Sequence, residues 1–125
     1  MIASMPSERI AACFRDILES IRLIETWVDE AASLGAAVLE DVKARSAIER
    51  QLLIISEAAV RMHKLDPQAA PQLAPGIDWQ GIRGIGNFIR HKYDDLDTSI
   101  LSDVIRTRLR PLHDACADAL RSLGN

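Results

Sequence analysis

Arginine, asparagine, histidine and tyrosine side chains are concentrated in one segment near the middle of the chain, residues 82–94. Read as a helix, this segment has four polar residues at positions i, i+4, i+7 and i+8, which share one face: Arg83, Asn87, Arg90 and His91. Tyr93 follows at the end of the helix or just beyond it. A guanidinium group holds phosphate through two parallel hydrogen bonds, and an imidazole can move a proton near neutral pH. The segment therefore predicts a site for a phosphate-bearing substrate.

The composition predicts one all-α domain over residues 1–125. Hydrophobic residues make up 48% of the chain and aromatic residues only 4%, which favours helices packed through aliphatic side chains. The net charge of -3 argues against a general nucleic-acid-binding protein, so any contact with RNA must come from a local basic patch. Neither a metal-ligand cluster nor a phosphate loop is evident, and no cofactor is expected.

The location predicted from the sequence is the cytoplasm. No apolar run is long enough to span a membrane, and the N-terminus lacks the pattern of a signal peptide. Cys13 and Cys116 fall on apolar helix faces, which indicates small buried thiols rather than a disulfide.

Helical periodicity and capping residues indicate where the elements lie. The predicted helices are residues 7–30, residues 41–65, a helix that starts at Trp79 after the N-cap Asp78, and residues 99–123 with a kink or break at Pro111. Residues 66–77 are rich in proline and glycine and are predicted to form the one long loop.

The second predicted helix is apolar on nearly every side between Leu52 and Val60, so self-association is expected to cover it. Glu57 lies within this apolar run and is expected either at an opening or in a buried pair. Three glycines in the helix after Asp78 indicate close approach of another backbone or a substrate, or a distorted first turn: Gly81, Gly84 and Gly86.

Two segments, residues 48–59 (IERQLLIISEAA) and 78–94 (DWQGIRGIGNFIRHKYD), resemble the HepT-like proteins of the HEPN superfamily. The resemblance implies an up-down bundle of four to five helices that forms a two-fold homodimer. It also implies a metal-independent endoribonuclease that acts on RNA as the toxin of a toxin–antitoxin pair. The implied partner is an MNT-type nucleotidyltransferase antitoxin, which in some pairs transfers AMP to the tyrosine of the motif. The positions that match the family motif are Asn87, His91 and Tyr93.

The chain departs from the family motif at Gly86, where the family has an arginine immediately before the asparagine. Arg83 lies about one helical turn upstream and is expected to supply the guanidinium, with Gly86 leaving room for its side chain. The alternative is a catalytically weak or inactive dimer. Such a dimer would bind the nucleotidyltransferase and receive AMP on Tyr93.

The residues of the motif have expected roles in metal-free RNA cleavage. His91 acts as base or acid, and Arg83 neutralises the charge that develops on the phosphate. Asn87 orients His91 or holds a phosphate oxygen, while Arg90 either helps or faces solvent. Tyr93 donates to a phosphate or accepts a nucleotidyl group. Two such faces across a two-fold axis would form one composite cleft, with Glu57 as a supporting residue. His63 and His113 are expected to be surface or packing residues.

Overall fold

A computed structural model of the chain describes residues 6–91 and 98–124, and for His91 it describes the backbone alone. All elements in these ranges are helical, which confirms the predicted fold class. A single 3₁₀ turn, Val38–Glu40, precedes the second helix. The α-helices are α1 (Pro6–Ser33), α2 (Val42–Leu65), α3 (Ala69–Leu73), α4 (Trp79–His91), α5 (Thr98–Thr107) and α6 (Leu109–Ser122).

Helix α2 lies between α1 and α4, α1 also packs against α6, and α5 packs against α6. Helices α2 and α4 run antiparallel, because His63 shares a depression with Trp79 whereas Leu52 shares a groove with Phe88. The core between these layers is mainly aliphatic. Its fully buried side chains include Phe14, Ile17, Ile21, Ile24, Ile48, Leu52, Ile55, Met62, Leu112 and Cys116. The arrangement is a helical bundle.

Two parts of the chain account for the number of helices observed, and the first of them was not expected. The predicted loop 66–77 contains α3, a short helix whose first two alanines are buried against the core. The break expected at Pro111 is confirmed: the last predicted helix is divided at Arg108, three residues before Pro111. Pro111 cannot donate to the carbonyl of Thr107 and its ring would collide with that carbonyl. The division places Pro111 in the first turn of α6, where a backbone N–H needs no partner in the helix.

The start of α4, the helix that carries the polar motif, is fixed by two adjacent residues. The Asp78 carboxylate accepts a hydrogen bond of 2.9 Å from the backbone N–H of Gly81, which confirms Asp78 as the N-cap. Trp79 is buried, and its indole N–H donates to the carbonyl oxygen of Ala74 over 3.0 Å. Its ring meets Phe14 of α1 edge to face, with ring centroids 6.2 Å apart.

Replacing Asp78 with alanine is expected to lower the free energy of unfolding by about 1 kcal/mol, because one N–H of the first turn of α4 loses its acceptor. Urea unfolding followed by circular dichroism measures the change. Asp29→Ala, which removes an exposed carboxylate from α1, is the matched control and should leave the stability within about 0.5 kcal/mol of the wild type. Equal losses in the two variants would contradict the capping role.

Both cysteines are buried and neither is in a disulfide, as predicted. Burial raises the pKa of the Cys116 thiol to about 12, so this side chain stays neutral at physiological pH and packs as a small apolar group. Within the described ranges, no helix has the length and apolar character that crossing a membrane requires.

Candidate functional site

Helix α4 presents three of the predicted site residues on one face. Arg83 is half-buried, whereas Asn87 and Arg90 are exposed. With about 100° of turn per residue, the three positions fall within an arc of about 60°. Arg83 and Arg90 lie about 10 Å apart along the helix axis, with Asn87 between them. Two guanidinium groups and an amide are therefore available to one extended anionic ligand.

The other two residues of the motif are only partly accounted for. The backbone of His91 belongs to α4, which places it one residue beyond Arg90, but its side chain is outside the described residues. Tyr93 also lies outside them.

A buried serine of α2 attaches α4 to the bundle in the middle of the motif. The Ser56 hydroxyl donates to the backbone carbonyl oxygen of Arg83 over 2.8 Å and accepts from the backbone N–H of Gly86 over 2.9 Å. These two bonds join one side chain to two points on the α4 backbone. They therefore set the rotation of α4, and with it the direction of the face that carries Arg83.

The expectation that Gly86 leaves room for the Arg83 side chain is wrong. A Cβ atom at position 86 would lie 2.8 Å from Ser56 Oγ and 3.1 Å from Leu53 Cδ1, so α2 already fills this space. The glycines were expected to mark close approach of another backbone or a substrate, or a distorted first turn; at this position the approaching atoms belong instead to side chains of α2. At Gly81, a Cβ atom would collide with the side chain of the N-cap Asp78. Gly84 is exposed, and a Cβ atom at this position would meet no neighbouring side chain or helix within 4 Å among the described residues.

Glu57 follows Ser56 on α2 and is half-buried rather than enclosed. Within the described parts of the chain its carboxylate is in no ion pair of the kind seen between Arg45 and Glu49. Its partial exposure is not that of a fully enclosed pair, and which of the two expected environments applies stays a prediction.

Partly exposed apolar residues border the polar face of α4 on both sides. On the α2 side, Leu53, whose side chain approaches Gly86, is half-buried. On the other side, Phe88 is 37% exposed and Ile100 of α5 is 43% exposed, and both line a groove of about 580 Å³ between α4 and α5. The described parts of the chain leave these residues incompletely covered.

His63, which the sequence indicated as a surface or packing residue, lies beside the motif. It is exposed in the last turn of α2, and it lines the same depression as Arg83. The depression has a volume of about 460 Å³ and is otherwise bounded by the proline-rich segment before α4. No spacing rule could have revealed this, because the two residues are brought together only when α2 packs against α4.

Comparison with known protein families gives one match. A family described as "Ribonuclease HepT-like" matches residues 17–119, a range that runs from the middle of α1 to the last turn of α6. No curated protein and no solved structure matches the chain.

Proposed function

Because the chain belongs to the ribonuclease HepT-like family, we propose that it is a metal-independent endoribonuclease and the toxin of a toxin–antitoxin pair. The observation that carries the proposal is the exposed face of α4, on which Arg83, Asn87 and Arg90 lie side by side within a family of ribonucleases. Guanidinium groups bind phosphate strongly, and an otherwise acidic chain concentrates two of them here.

Cleavage without metal proceeds by attack of the RNA 2′-oxygen on the adjacent phosphorus. The 2′-hydroxyl proton passes to a base, the bond to the 5′-oxygen breaks, and an acid protonates that oxygen. The products carry a 2′,3′-cyclic phosphate and a 5′-hydroxyl. His91 supplies an imidazole for these proton transfers, and Arg83 stabilises the charge on the phosphate. Asn87, one turn before His91, orients the imidazole or holds a phosphate oxygen.

The active form in this proposal is a two-fold homodimer. The apolar borders of the polar face are Leu53 on one side and Phe88 and Ile100 on the other, and they supply surface that association would cover. A two-fold axis beside the face would bring two copies of Arg83 and His91 to one cleft. Such a cleft offers one imidazole for each proton transfer and doubles the local positive charge.

Incubation of the purified protein with a mixed pool of tRNA and mRNA in the presence of EDTA tests the proposal. The wild type is expected to cleave RNA and to leave fragments with 5′-hydroxyl ends. Arg83→Ala should reduce the rate about 100-fold, because the developing charge on the phosphate loses its guanidinium. Arg22→Ala, which removes an exposed arginine paired with Glu19 on α1, is the matched control and should cleave like the wild type.

Intact RNA at high concentrations of the wild-type protein would contradict a ribonuclease. Equal rates for Arg83→Ala and Arg22→Ala would contradict the role of the α4 face while leaving the activity in place.

A second candidate is favoured by the packing at Gly86. Because Ser56 fills the space where the family has its arginine, the chain is weakened as a nuclease in this alternative and functions as a binding partner. The dimer would bind an MNT-type nucleotidyltransferase, and the Tyr93 oxygen would attack the α-phosphorus of ATP to form an AMP ester with release of pyrophosphate. Tight complex formation and labelling of Tyr93, without RNA cleavage by the unmodified protein, would favour this candidate.

A further inference from the structure

The depression shared by His63 and Arg83 adjoins the polar face of α4 at the end remote from His91. Its polar lining consists of His63, Gln68, Asp78, Gln80 and Arg83, which come from α2, the proline-rich segment and the start of α4. His63, Gln68 and Gln80 are exposed. Because Arg83 lines the depression and also belongs to the motif face, a ligand held by its guanidinium reaches both.

The types of side chain in this depression match the chemistry of a nucleotide base. Two glutamine amides and an imidazole offer both hydrogen-bond donors and acceptors, as the edges of RNA bases do. The rings of Pro67, Pro71 and Pro75 line the same space and supply apolar surface for the faces of a base or ribose. Proteins that recognise single-stranded RNA combine apolar contacts to splayed bases with hydrogen bonds to base edges.

The charges around the depression also suit an anionic chain. The carboxylate in its lining, that of Asp78, is engaged: it accepts from the N–H of Gly81, and an oxygen lies 4.0 Å from the Arg108 guanidinium. Arg83 is the cation of the lining, and Lys64 follows His63 at the end of α2. Arg83 and His91 are about 12 Å apart along the axis of α4, a span that an oligonucleotide bridges and a single phosphate does not.

We infer that this depression is a subsite for a nucleotide of the RNA strand beside the scissile phosphate. His63 and Gln80 contact its base, and Arg83 holds the phosphate that joins it to the cleavage site. The inference rests on the proposed ribonuclease function. It assigns recognition of the RNA sequence around the cleavage site to the end of α2 and the start of α4. The residues that transfer protons are separate from this subsite.

Binding of a short fluorescein-labelled RNA of random sequence to His91→Ala protein, measured by fluorescence anisotropy, tests the subsite without cleavage. Adding His63→Ala or Gln80→Ala to this parent is expected to weaken binding about fivefold each, the effect of one lost hydrogen bond. Adding His63→Gln should retain most of the affinity, because an amide keeps both a donor and an acceptor. Thermal midpoints should not change, since the replaced side chains are exposed.

Two matched controls separate the subsite from a general effect of surface substitution. Gln72→Ala changes an exposed glutamine of α3 outside the depression, and His113→Ala changes a histidine of α6 that contacts Arg110 and Asp114. Both should bind the RNA like the His91→Ala parent. AMP, used as a competitor, should displace the RNA only weakly, because a mononucleotide cannot reach from the depression to the far end of the motif face.

The outcomes that overturn the inference are distinct from failure of the proposed function. If the parent binds RNA and neither His63→Ala nor Gln80→Ala weakens binding, the subsite is wrong and the nuclease proposal stands. If AMP binds as tightly as RNA and His63→Ala weakens both, the depression is a mononucleotide site, which also overturns the inference. If the parent does not bind RNA and the wild type does not cleave it, both the proposed function and the subsite fall.

Discussion

Replacing His91 with alanine is expected to reduce RNA cleavage by about 10³-fold. Removal of the 2′-hydroxyl proton and protonation of the leaving 5′-oxygen both need a group that titrates near neutral pH, and the imidazole of His91 is the one that the motif provides. If the composite cleft forms, the single substitution His91→Ala removes both imidazoles from it, because the two subunits are identical. Initial rates on the mixed RNA pool in EDTA measure the loss.

His113→Ala is the control for this experiment, because it removes a histidine from α6 outside the motif face. It should cleave at the wild-type rate. Circular dichroism and the thermal midpoint should be the same for both variants and the wild type. Cleavage by His91→Ala at an undiminished rate would show either that another group moves the proton or that the nuclease is a contaminant. Purifying His91→Ala by a second affinity step would distinguish these explanations. Activity that stays with the protein through this step indicates that another group moves the proton, and activity that is lost indicates a contaminant.

Placing arginine at Gly86, the residue that the family motif carries there, is expected to destabilise the fold by about 3 kcal/mol or more. The position faces α2, where even a Cβ atom would meet Ser56 Oγ at 2.8 Å and Leu53 Cδ1 at 3.1 Å. Overpacking of this kind forces side chains and backbone to shift, and here it also directs a charged group toward a buried contact. The variant should lose stability and gain no cleavage.

Alanine substitutions at two glycines of the same helix separate packing from helix propensity. Gly84→Ala is expected to raise the free energy of unfolding by about 0.5–1 kcal/mol, because alanine favours the helix and the space around Gly84 is open. Gly86→Ala should lower it, because the clash with Ser56 outweighs the same gain in propensity. Urea unfolding of the two variants measures this difference in sign.

Ser56→Ala combined with Gly86→Ala completes a double-mutant cycle. The two losses should not add, since Ser56→Ala removes both the acceptor for the backbone N–H of residue 86 and the hydroxyl that a Cβ atom at this position would meet. A stable Gly86→Arg protein with increased cleavage would contradict this packing of α2 against α4.

Elements specified by neighbouring residues could be predicted from the sequence. Helix α2 begins after Asp41, whose side chain accepts from the N–H of Lys43, and it ends at Leu65, before its C-cap Asp66 and a proline. Helix α4 begins at Trp79 as its cap Asp78 indicated. A cap contacts groups two or three residues away, so its signal is complete within the local sequence. The face formed by Arg83, Asn87 and Arg90 follows from helical spacing in the same way.

Features that depend on tertiary packing were missed or misread. Ser56 and Gly86 are 30 residues apart, and nothing local to either one indicates that a hydroxyl would fill the space above the glycine. His63 was set apart from the motif because its neighbours in sequence carry no pattern, although α2 and α4 bring it beside Arg83. Helix α3 was assigned to a loop because proline and glycine surround it, and burial of Ala69 and Ala70 decides its structure instead.

The contact between Ser56 and Gly86 also limits how this lineage can change. We expect the two positions to be epistatic: a larger residue at 86 should need a smaller side chain at 56 and a shift of α4 away from α2. Arginine at 86 introduced by a single replacement would therefore give a poorly folded protein. Variation around the motif is left to positions such as Gly84, where added side chains meet solvent, and we expect the motif face to diversify from that side first.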